Sequence, residues 1–302
     1  RTENLLLPGY DIPAPFRPIS ALQAVQIDDS GVSGRLTLQW TQDPSNMYFI
    51  SAVQGWKGPG VVASQNEAIK AEIPKGIELG HRGQFLNGRV RTSAMFFKTT
   101  YEDFQAQSLA LDDAGNLRFF LNNAGELETT GLELELDALI TSNLKLSAQF
   151  SYINAEFTDF TNAPCYAGQS LDQGCVTAGG ASFQSLNGKK LPLSPDTSFT
   201  ISSRYDFPIN EFSGHIYLAY NRQSEVEGDL NNPSHSIDSY GLLNGKIGLL
   251  SPSGKYSMSL WAKNIADEFD VTRIFETFGG GSNHYISPNS ERRLGLSFRV
   301  NF

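Results

Sequence analysis

The sequence has 302 residues, of which 18% are charged and 11% aromatic, and its formal net charge is −9. This acidic balance argues against a surface that binds nucleic-acid phosphate, and the lack of any run of about 18 apolar residues excludes a transmembrane helix. A membrane β-barrel is not excluded, because alternating strands dilute their apolar residues with polar ones.

Strands with a period of two dominate the sequence. We predict eleven of them, at residues 34–41, 46–56, 76–85, 89–105, 120–139, 143–158, 196–206, 213–224, 239–250, 255–265 and 289–302. In LKLSAQFSY (144–152) every second residue is apolar, and the residues between them are Lys, Ser, Gln and Ser. Many of these strands have the length of about 9–11 residues that crosses a bilayer.

The connections between the predicted strands alternate between short and long. The short ones are TQDPSN, LNGR, ITSN, FPINEFS and SPSG, which are rich in turn formers. The long ones lie near residues 57–75, 106–119, 159–195, 225–238 and 266–288. Outer-membrane barrels have short periplasmic turns and long extracellular loops. The pattern therefore predicts an all-β fold, an antiparallel up-and-down transmembrane β-barrel.

The two faces of the predicted strands differ in chemistry. The polar rows carry full charges in mid-strand, at Glu133, Glu135, Lys145, Arg204, Lys246, Lys263 and Arg299. The opposite rows carry tyrosines near strand ends, at Tyr152, Tyr205, Tyr220, Tyr240 and Tyr256. Such charges would be costly in a sandwich core but cheap on the outside of a soluble sheet, which is the alternative. Tyrosine belts at a membrane interface explain the opposite rows and favour the barrel.

Cys165 and Cys175 lie in the loop PCYAGQSLDQGCV. Two free thiols are one alternative, and a metal pair would need further ligands that are not nearby. The short separation within a loop favours a local disulfide and therefore an oxidising compartment. The four histidines form no pair with metal spacing, and no catalytic motif is present, so we expect no metal site, no cofactor and no enzymatic activity.

Six segments in chain order carry a resemblance to a known family. They are YFISAVQGWKGPG (48–60), IELGHRGQFLNGRVRTSAMFFKTTYEDFQ (77–105), NAGELETTGLELEL (123–136), LSAQFSYINAEFTDF (146–160), LPLSPDTSFTISSRYDF (191–207) and SLWAKNIADEFD (259–270). Together they resemble the C-terminal half of the barrel of TonB-dependent outer-membrane receptors, from about Gly34 onward. Phe302 resembles the terminal aromatic residue read by the barrel-assembly machinery, and the cysteine loop is similar to the disulfide-closed extracellular loop of many members.

The family pairs a plug domain with a barrel of about 22 strands. Residues 1–302 contain eleven predicted strands and neither a plug nor a TonB box. Closing these strands on themselves would pair 34–41 with 289–302 in parallel, which bacterial single-chain barrels avoid. We therefore expect residues 1–302 to be the C-terminal part of a TonB-dependent receptor β-barrel domain, whose plug and N-terminal strands lie elsewhere.

The resemblance implies an outer-membrane receptor of a Gram-negative bacterium that actively imports a scarce nutrient, above all a ferric siderophore. Energy would come from a TonB-type coupling protein, and the other expected partners are outer-membrane lipid, the barrel-assembly machinery, and the missing plug and barrel half. One alternative is a barrel that binds or scaffolds within a surface assembly without active transport. Another is a soluble β-rich carbohydrate-binding protein or enzyme.

Aromatic and basic residues in the loops and upper barrel wall suit an anionic, aromatic ligand through stacking and charge. The candidates are Trp56, Lys57, Arg118, Phe119, Phe120, Tyr166, Phe183, Arg222, Arg273, Phe275, Phe278, His284 and Tyr285. The alternative for each residue is that it packs only within its own loop.

Overall fold

The computed structural model describes residues 27–62, 67–111, 117–166, 168–178, 181–229, 231–276 and 282–301. Its strands in chain order are β1 (Gly34–Asp43), β2 (Asn46–Gln54), β3 (Gly60–Val62), β4 (Glu67–Ile69), β5 (Ile73–Phe85), β6 (Val90–Glu102), β7 (Gln105–Leu111), β8 (Leu117–Asn123), β9 (Glu126–Leu139), β10 (Leu144–Asp159), β11 (Ala163–Pro164), β12 (Val176–Ala178), β13 (Ala181–Gln184), β14 (Thr197–Ile209), β15 (Phe212–Gln223), β16 (Val226–Glu227), β17 (Ser236–Ile237), β18 (Tyr240–Leu250), β19 (Tyr256–Lys263), β20 (Val271–Glu276), β21 (Ser282–Ile286) and β22 (Arg293–Val300). Two short 3₁₀ helices, Leu171–Gln173 and Pro233–His235, accompany them. Across these described ranges, no helix is long and apolar enough to cross a membrane.

Eleven long strands form one antiparallel sheet, each paired with the next long strand along the chain. Their order is β1-β2-β5-β6-β9-β10-β14-β15-β18-β19-β22. This confirms the eleven predicted strands, with one difference. The predicted strand 120–139 is divided, because β8 pairs with β7 in a loop hairpin and only β9 joins the sheet. The break falls where Ala124 is fully buried among loop residues.

Short turns join the long strands at one end of the strands, as predicted, and longer connections join them at the other end. We call these two sides of the sheet the short-turn edge and the rim edge. The turn 86–89 needs left-handed backbone, and Leu86, Asn87 and Gly88 have φ of 52°, 58° and 79°. We call the longer connections rim loops 1 to 5; they are residues 55–72, 103–125, 160–196, 224–239 and 264–292. Each rim loop contains a small antiparallel sheet of its own, β3–β4, β7–β8, β11–β13–β12, β16–β17 and β20–β21.

The strand register sorts the side chains of the large sheet into two faces. One cross-strand row consists of Leu38, Ile50, Leu79, Phe96, Leu132 and Tyr152. A second row consists of Leu134, Phe150 and Phe199. We call the side that carries these rows the apolar face. Its side chains are widely exposed, with Leu38 at 72% and Leu296 at 68% of full exposure.

The opposite side, the polar face, carries the mid-strand charges that the sequence predicted. Lys145 pairs with Arg204 across β10 and β14, and Glu135 pairs with Gln149 across β9 and β10. Arg35 in β1 reaches across β2 to Glu78 in β5 with two hydrogen bonds of 2.6 and 2.9 Å. Such bidentate pairs fix the geometry of both side chains.

One prediction about the faces is wrong. Tyr152, Tyr205, Tyr220 and Tyr256 lie on the apolar face, but Tyr240 pairs with Gln223 on the polar face. Tyr240 begins the segment YGLL, in which two leucines are adjacent, so the local sequence does not say which of them is on the tyrosine's side. Pairing with β15 decides the matter, because directly opposed residues share a face.

Candidate functional site

Hydrogen bonds join rim loop 1 to rim loop 2. The carboxylate of Glu72, a buried residue, accepts the backbone N–H of Gln105 at 2.9 Å and the ammonium of Lys57 at 3.4 Å. The side-chain oxygen of Asn123 accepts the backbone N–H of Lys70 at 2.7 Å. The two loops are therefore held together by hydrogen bonds from backbone N–H groups of one loop to side-chain oxygens of the other.

An apolar cluster joins rim loop 2 to rim loop 3, on top of the ends of β9 and β10. The buried members are Ala106, Ala124, Leu127, Phe157, Phe160, Ala163 and Leu186. The ring of Phe157 lies 5.2 Å from that of Phe160 and 6.1 Å from that of Phe104, centroid to centroid. Burying a large apolar side chain contributes about 1.5–3 kcal/mol, so this cluster makes the two loops one packed unit.

Rim loops 3, 4 and 5 are also in contact. The backbone N–H of Leu193 donates to the carbonyl of Glu227 at 2.8 Å, which links rim loops 3 and 4. Val226 and Ile237 of rim loop 4 pack against Ile274 of rim loop 5. Neighbouring rim loops are thus in contact all along the sheet edge, which makes the edge one continuous structure.

Two titratable groups lie buried where rim loops 4 and 5 meet. His235 and Asp270 are both 2% exposed, and in the described part of the chain His235 Nδ1 and Asp270 Oδ1 have no hydrogen-bond partner. Burial, and then the nearby charge of His284, lowers the pKa of the His235 imidazole. Burial raises the pKa of the Asp270 carboxyl. Burial therefore shifts the equilibrium of both groups toward their neutral forms in the folded loops.

The structure joins Cys165 and Cys175 in a disulfide within rim loop 3, which confirms that prediction. The closed segment contains the 3₁₀ helix that begins after Ser170, whose backbone N–H donates to the Gln173 side chain at 2.9 Å. Tyr166, a candidate ligand residue, follows the first cysteine, and its backbone N–H donates to Gln169. The disulfide therefore orders the segment that carries Tyr166.

Rim loop 5 brings four candidate ligand residues into one hairpin. Arg273 of β20 is directly paired with Tyr285 of β21, so their side chains share a face. His284 is paired with Ile274, and Phe275 with Asn283. Because Ile274 packs into rim loop 4, His284 lies on the side of the hairpin that faces that loop.

The other candidates lie on separate rim loops. In rim loop 1 the ring of Trp56 covers Gly31, and Lys57 is held by Glu72. Arg118, Phe119 and Phe120 are consecutive residues of β8 in rim loop 2 and pair with Ala110, Leu109 and Ser108. Phe183 of β13 pairs with Pro164 and Val176 in rim loop 3. Phe278 and Phe302 lie outside the described residues.

Arg222 is the exception among the candidates, because the register places it on the apolar face. It pairs with Phe199 in β14 and with Gly241 in β18, and Tyr220 precedes it on the same face. The alternation of the strand should have revealed this position, since Ile216, Leu218 and Tyr220 are spaced two residues apart and Arg222 continues the row.

A polar cavity near the short-turn edge contains residues that the sequence did not single out. It has a volume of about 430 Å³, and its charged lining residues are Asp43, Arg82, Arg91, Glu135 and Asp137. Arg82, Arg91, Glu135 and Asp137 are on the polar face of β5, β6 and β9, and Asp43 lies at the end of β1, beyond a register shift. The signal was present as charges at alternating positions, but only the register shows that the charges of four strands meet.

The family model described as "TonB dependent receptor-like, beta-barrel" matches residues 11–265. The chain belongs to this family of TonB-dependent receptors. In this receptor chain the apolar face is the lipid-facing side of an outer-membrane barrel and the polar face is its inner side. Members of this family are transport receptors of the Gram-negative outer membrane.

Individual relatives agree with the family. A probable TonB-dependent siderophore receptor, PiuA of Acinetobacter baumannii, is 25% identical over 82% of this chain and 29% of its own length. The metal-pseudopaline receptor CntO of Pseudomonas aeruginosa is 22% identical over 95% of this chain and 35% of its own length. The ferric yersiniabactin uptake receptor FyuA of Yersinia pestis has the same fold, with a TM-score of 0.72 at 19% identity over 92% of this chain and 38% of its own. The receptor chain spans about a third of these relatives.

Proposed function

We propose that residues 1–302 form the C-terminal part of the barrel of an active-transport receptor that imports a ferric siderophore. In this proposal a TonB-type protein supplies energy through a plug domain, and the plug and the remaining barrel strands lie outside residues 1–302. In the same proposal, Phe302 is the residue that the barrel-assembly machinery recognises. The proposal assigns the chain a transport role without a catalytic step.

The observation that carries the proposal is the family match over most of the chain, on a sheet whose two faces are chemically sorted. Two relatives are named for a siderophore or a metal–pseudopaline complex, which supports this ligand class. The continuous rim adds physical support, because a transporter needs a ligand entrance with a defined shape above its inner wall.

We further propose that rim residues contact the ligand as it enters. The proposed contacts are Trp56, Lys57, Arg118, Phe119, Phe120, Tyr166, Arg273, Phe275, His284 and Tyr285. Arg273 and Tyr285 are the strongest pair, since their direct pairing in one hairpin puts a cation beside an aromatic ring. This combination suits an anionic ligand with aromatic groups.

Uptake by whole cells tests the proposed function. The full-length receptor is expressed in a bacterium that lacks its own ferric-siderophore receptors, and entry of ⁵⁵Fe carried by a panel of siderophores is measured. We expect at least one siderophore to deliver iron, and deletion of the TonB-type protein to abolish entry. Binding of a siderophore without TonB-dependent entry would instead support the alternative, a receptor that binds or scaffolds without active transport.

A pair of arginine variants tests the proposed ligand contacts. Arg273→Ala should weaken siderophore binding about 10-fold, the effect of losing a charge-assisted hydrogen bond. Arg299→Ala is the matched control, because Arg299 lies on the polar face near the opposite edge of the sheet, paired with Ser257. Equal affinities of the two variants, at equal surface expression, would contradict the assignment of Arg273.

A further inference from the structure

On seven consecutive strands of the large sheet, the apolar residues of the apolar face are followed by a polar residue as the strand approaches the rim loops. We define the interface row as the first polar residue beyond the apolar ones on each of β2, β5, β6, β9, β10, β14 and β15. Its members are Gln54, Lys75, Lys98, Thr130, Asn154, Thr197 and Arg222. Three are cations and none is an acid, although the whole chain has a net charge of −9.

The carboxylates of this face begin only beyond the interface row. They are Glu102, Glu128 and Glu156, of which Glu156 is directly paired with Glu128, and the first two each bind a lysine of the row. Lys75 contacts Glu102 at 2.6 Å, and Lys98 contacts Glu128 at 2.8 Å. Both lysines are therefore already neutralised by the protein.

Arg222 differs from these lysines, because no carboxylate of the described residues forms an ion pair with its guanidinium. Its hydrogen bond is to the Ser239 hydroxyl, at 3.5 Å. A weakly held guanidinium beside a neutral hydroxyl keeps most of its five donor N–H groups for another partner. The side chain is exposed on the lipid-facing side, one position from the rim end of β15.

The surroundings of Arg222 combine apolar and hydroxyl groups. Phe199 lies opposite it and is tilted against Tyr220, with ring centroids 5.7 Å apart. On the other side is Gly241, which has no side chain, and the Tyr220 hydroxyl occupies the space where a Cβ would be. The Tyr220 hydroxyl therefore lies beside the strand position of Arg222, while the Tyr220 ring stays among the apolar residues.

A cavity of about 360 Å³ opens at this point of the face. Its lining consists of Thr197, Phe199, Arg222, Gln223, Ser224, Glu225 and Ser239. A lipid headgroup has the matching chemistry, because its acyl chains need the apolar band below and its phosphate needs a cation at the boundary. A soluble anion would gain nothing from the rings of Phe199 and Tyr220.

We propose that Arg222, together with the hydroxyls of Tyr220 and Ser239, binds a phosphate group of an anionic lipid in the outer leaflet. The guanidinium pairs with the phosphate oxygens, and the two hydroxyls donate to them. The site depends on the outer-membrane location of the family and not on the transported ligand. A negative result in the siderophore uptake assay would not contradict this lipid site. A negative result for the lipid site would likewise not contradict siderophore uptake.

Lipid retention by the purified full-length receptor tests the site. The protein is exchanged into nanodiscs that contain either lipopolysaccharide or phosphatidylcholine alone, and retained lipopolysaccharide is counted by native mass spectrometry after gentle removal of the disc. We expect wild type to retain lipopolysaccharide, Arg222→Gln to lose about 10-fold in retention, and Arg222→Lys to lose less. Lys98→Gln is the matched control and should retain as much as wild type, because Lys98 is already paired with Glu128.

Two results would overturn the proposal. One is equal retention by Arg222→Gln and wild type, when heat-modified mobility on gels shows that both are folded. The other is full displacement of the lipid by millimolar inorganic phosphate, which would make the site one for a free anion. Ser239→Ala gives an independent check, since it removes a hydroxyl without altering the charge and should reduce retention by less than Arg222→Gln.

Discussion

The indole ring of Trp261 in β19 covers Gly295, its directly paired neighbour in β22. Its Nε1–H donates to the Ser297 hydroxyl two residues further along β22, at 3.1 Å. A Cβ on Gly295 would overlap the ring. The same arrangement occurs at Phe49 over Gly80 and at Phe97 over Gly131, so aromatic rings over glycines help to fix the register at several points of the polar face.

Gly295→Ala should therefore displace the indole and break its hydrogen bond to Ser297. We expect a loss of about 1–3 kcal/mol in the free energy of unfolding, the usual effect of overpacking, and a shift in Trp261 fluorescence. Gly34→Ala in β1 is the matched control, because nothing lies near the position of its Cβ. Urea unfolding in lipid vesicles measures both variants, and equal destabilisation of the two would contradict this contact.

Phe150→Arg tests which face meets lipid. Phe150 lies between Leu134 and Phe199 in a cross-strand row of the apolar face, and an arginine there should cost about 2–4 kcal/mol at mid-bilayer. Gln149→Arg changes the adjacent residue on the polar face and should cost far less. The comparison uses the same vesicle unfolding assay, and a larger loss for Gln149→Arg would reverse the assignment of the faces.

Phe157→Ala should separate rim loops 2 and 3. Phe157 is 2% exposed at the centre of their shared cluster, and its truncation should destabilise the packed loops by about 3–5 kcal/mol. Hydrogen exchange should then accelerate in rim loops 2 and 3 while β14 to β22 stay protected. Leu171→Ala, at a residue that is 75% exposed in rim loop 3, should leave exchange unchanged.

The disulfide should stabilise only its own loop. In the chain-entropy picture, a cross-link that spans ten positions contributes roughly 2–3 kcal/mol. Cys165→Ser should leave one reactive thiol, Cys175, and speed proteolysis of rim loop 3, while the melting temperature of the sheet stays the same. Unreduced wild type should show no reactive thiol, and detection of two would contradict the disulfide.

Acidification should loosen the contact between rim loops 4 and 5. The pKa of folded His235 lies below its ordinary value, so the opened loop binds a proton more readily than the closed one. Stability of the contact is therefore complete above the ordinary pKa of about 6.5 and falls as the pH drops below it. Asp270 has a raised pKa and acts in the opposite sense, because the closed loop then binds a proton more readily than the opened one.

Hydrogen exchange of residues 226–237, corrected for intrinsic rates, should thus be several-fold faster at pH 5.5 than at pH 7.5. His235→Leu should remove this difference, because an apolar side chain of similar size fills the site without titrating. His284→Gln is the control, since His284 is exposed and acts on His235 only through its charge. A pH difference that persists in His235→Leu would assign the effect to another group.

Part of the candidate site could be predicted from the sequence. The cysteine pair followed from its short spacing. Four candidate residues of rim loop 5 were named from the sequence, but only strand pairing shows that they share one hairpin. The burial of His235 could not be foreseen, because it depends on Ile274 of another loop packing nearby. Arg222 is basic, like several of the loop candidates. Only its pairing with Phe199 and Gly241 shows that it lies on the apolar face and not with them.

The sequence by itself determined the number of long strands, their positions and the alternation of short turns with long loops. These features follow from side-chain alternation and turn residues, which act between near neighbours in the chain. The tertiary structure decided the face of Tyr240, the division of 120–139 and the contacts among the rim loops. Those features depend on cross-strand pairing and on apolar contacts between distant segments, for which a local pattern carries no information.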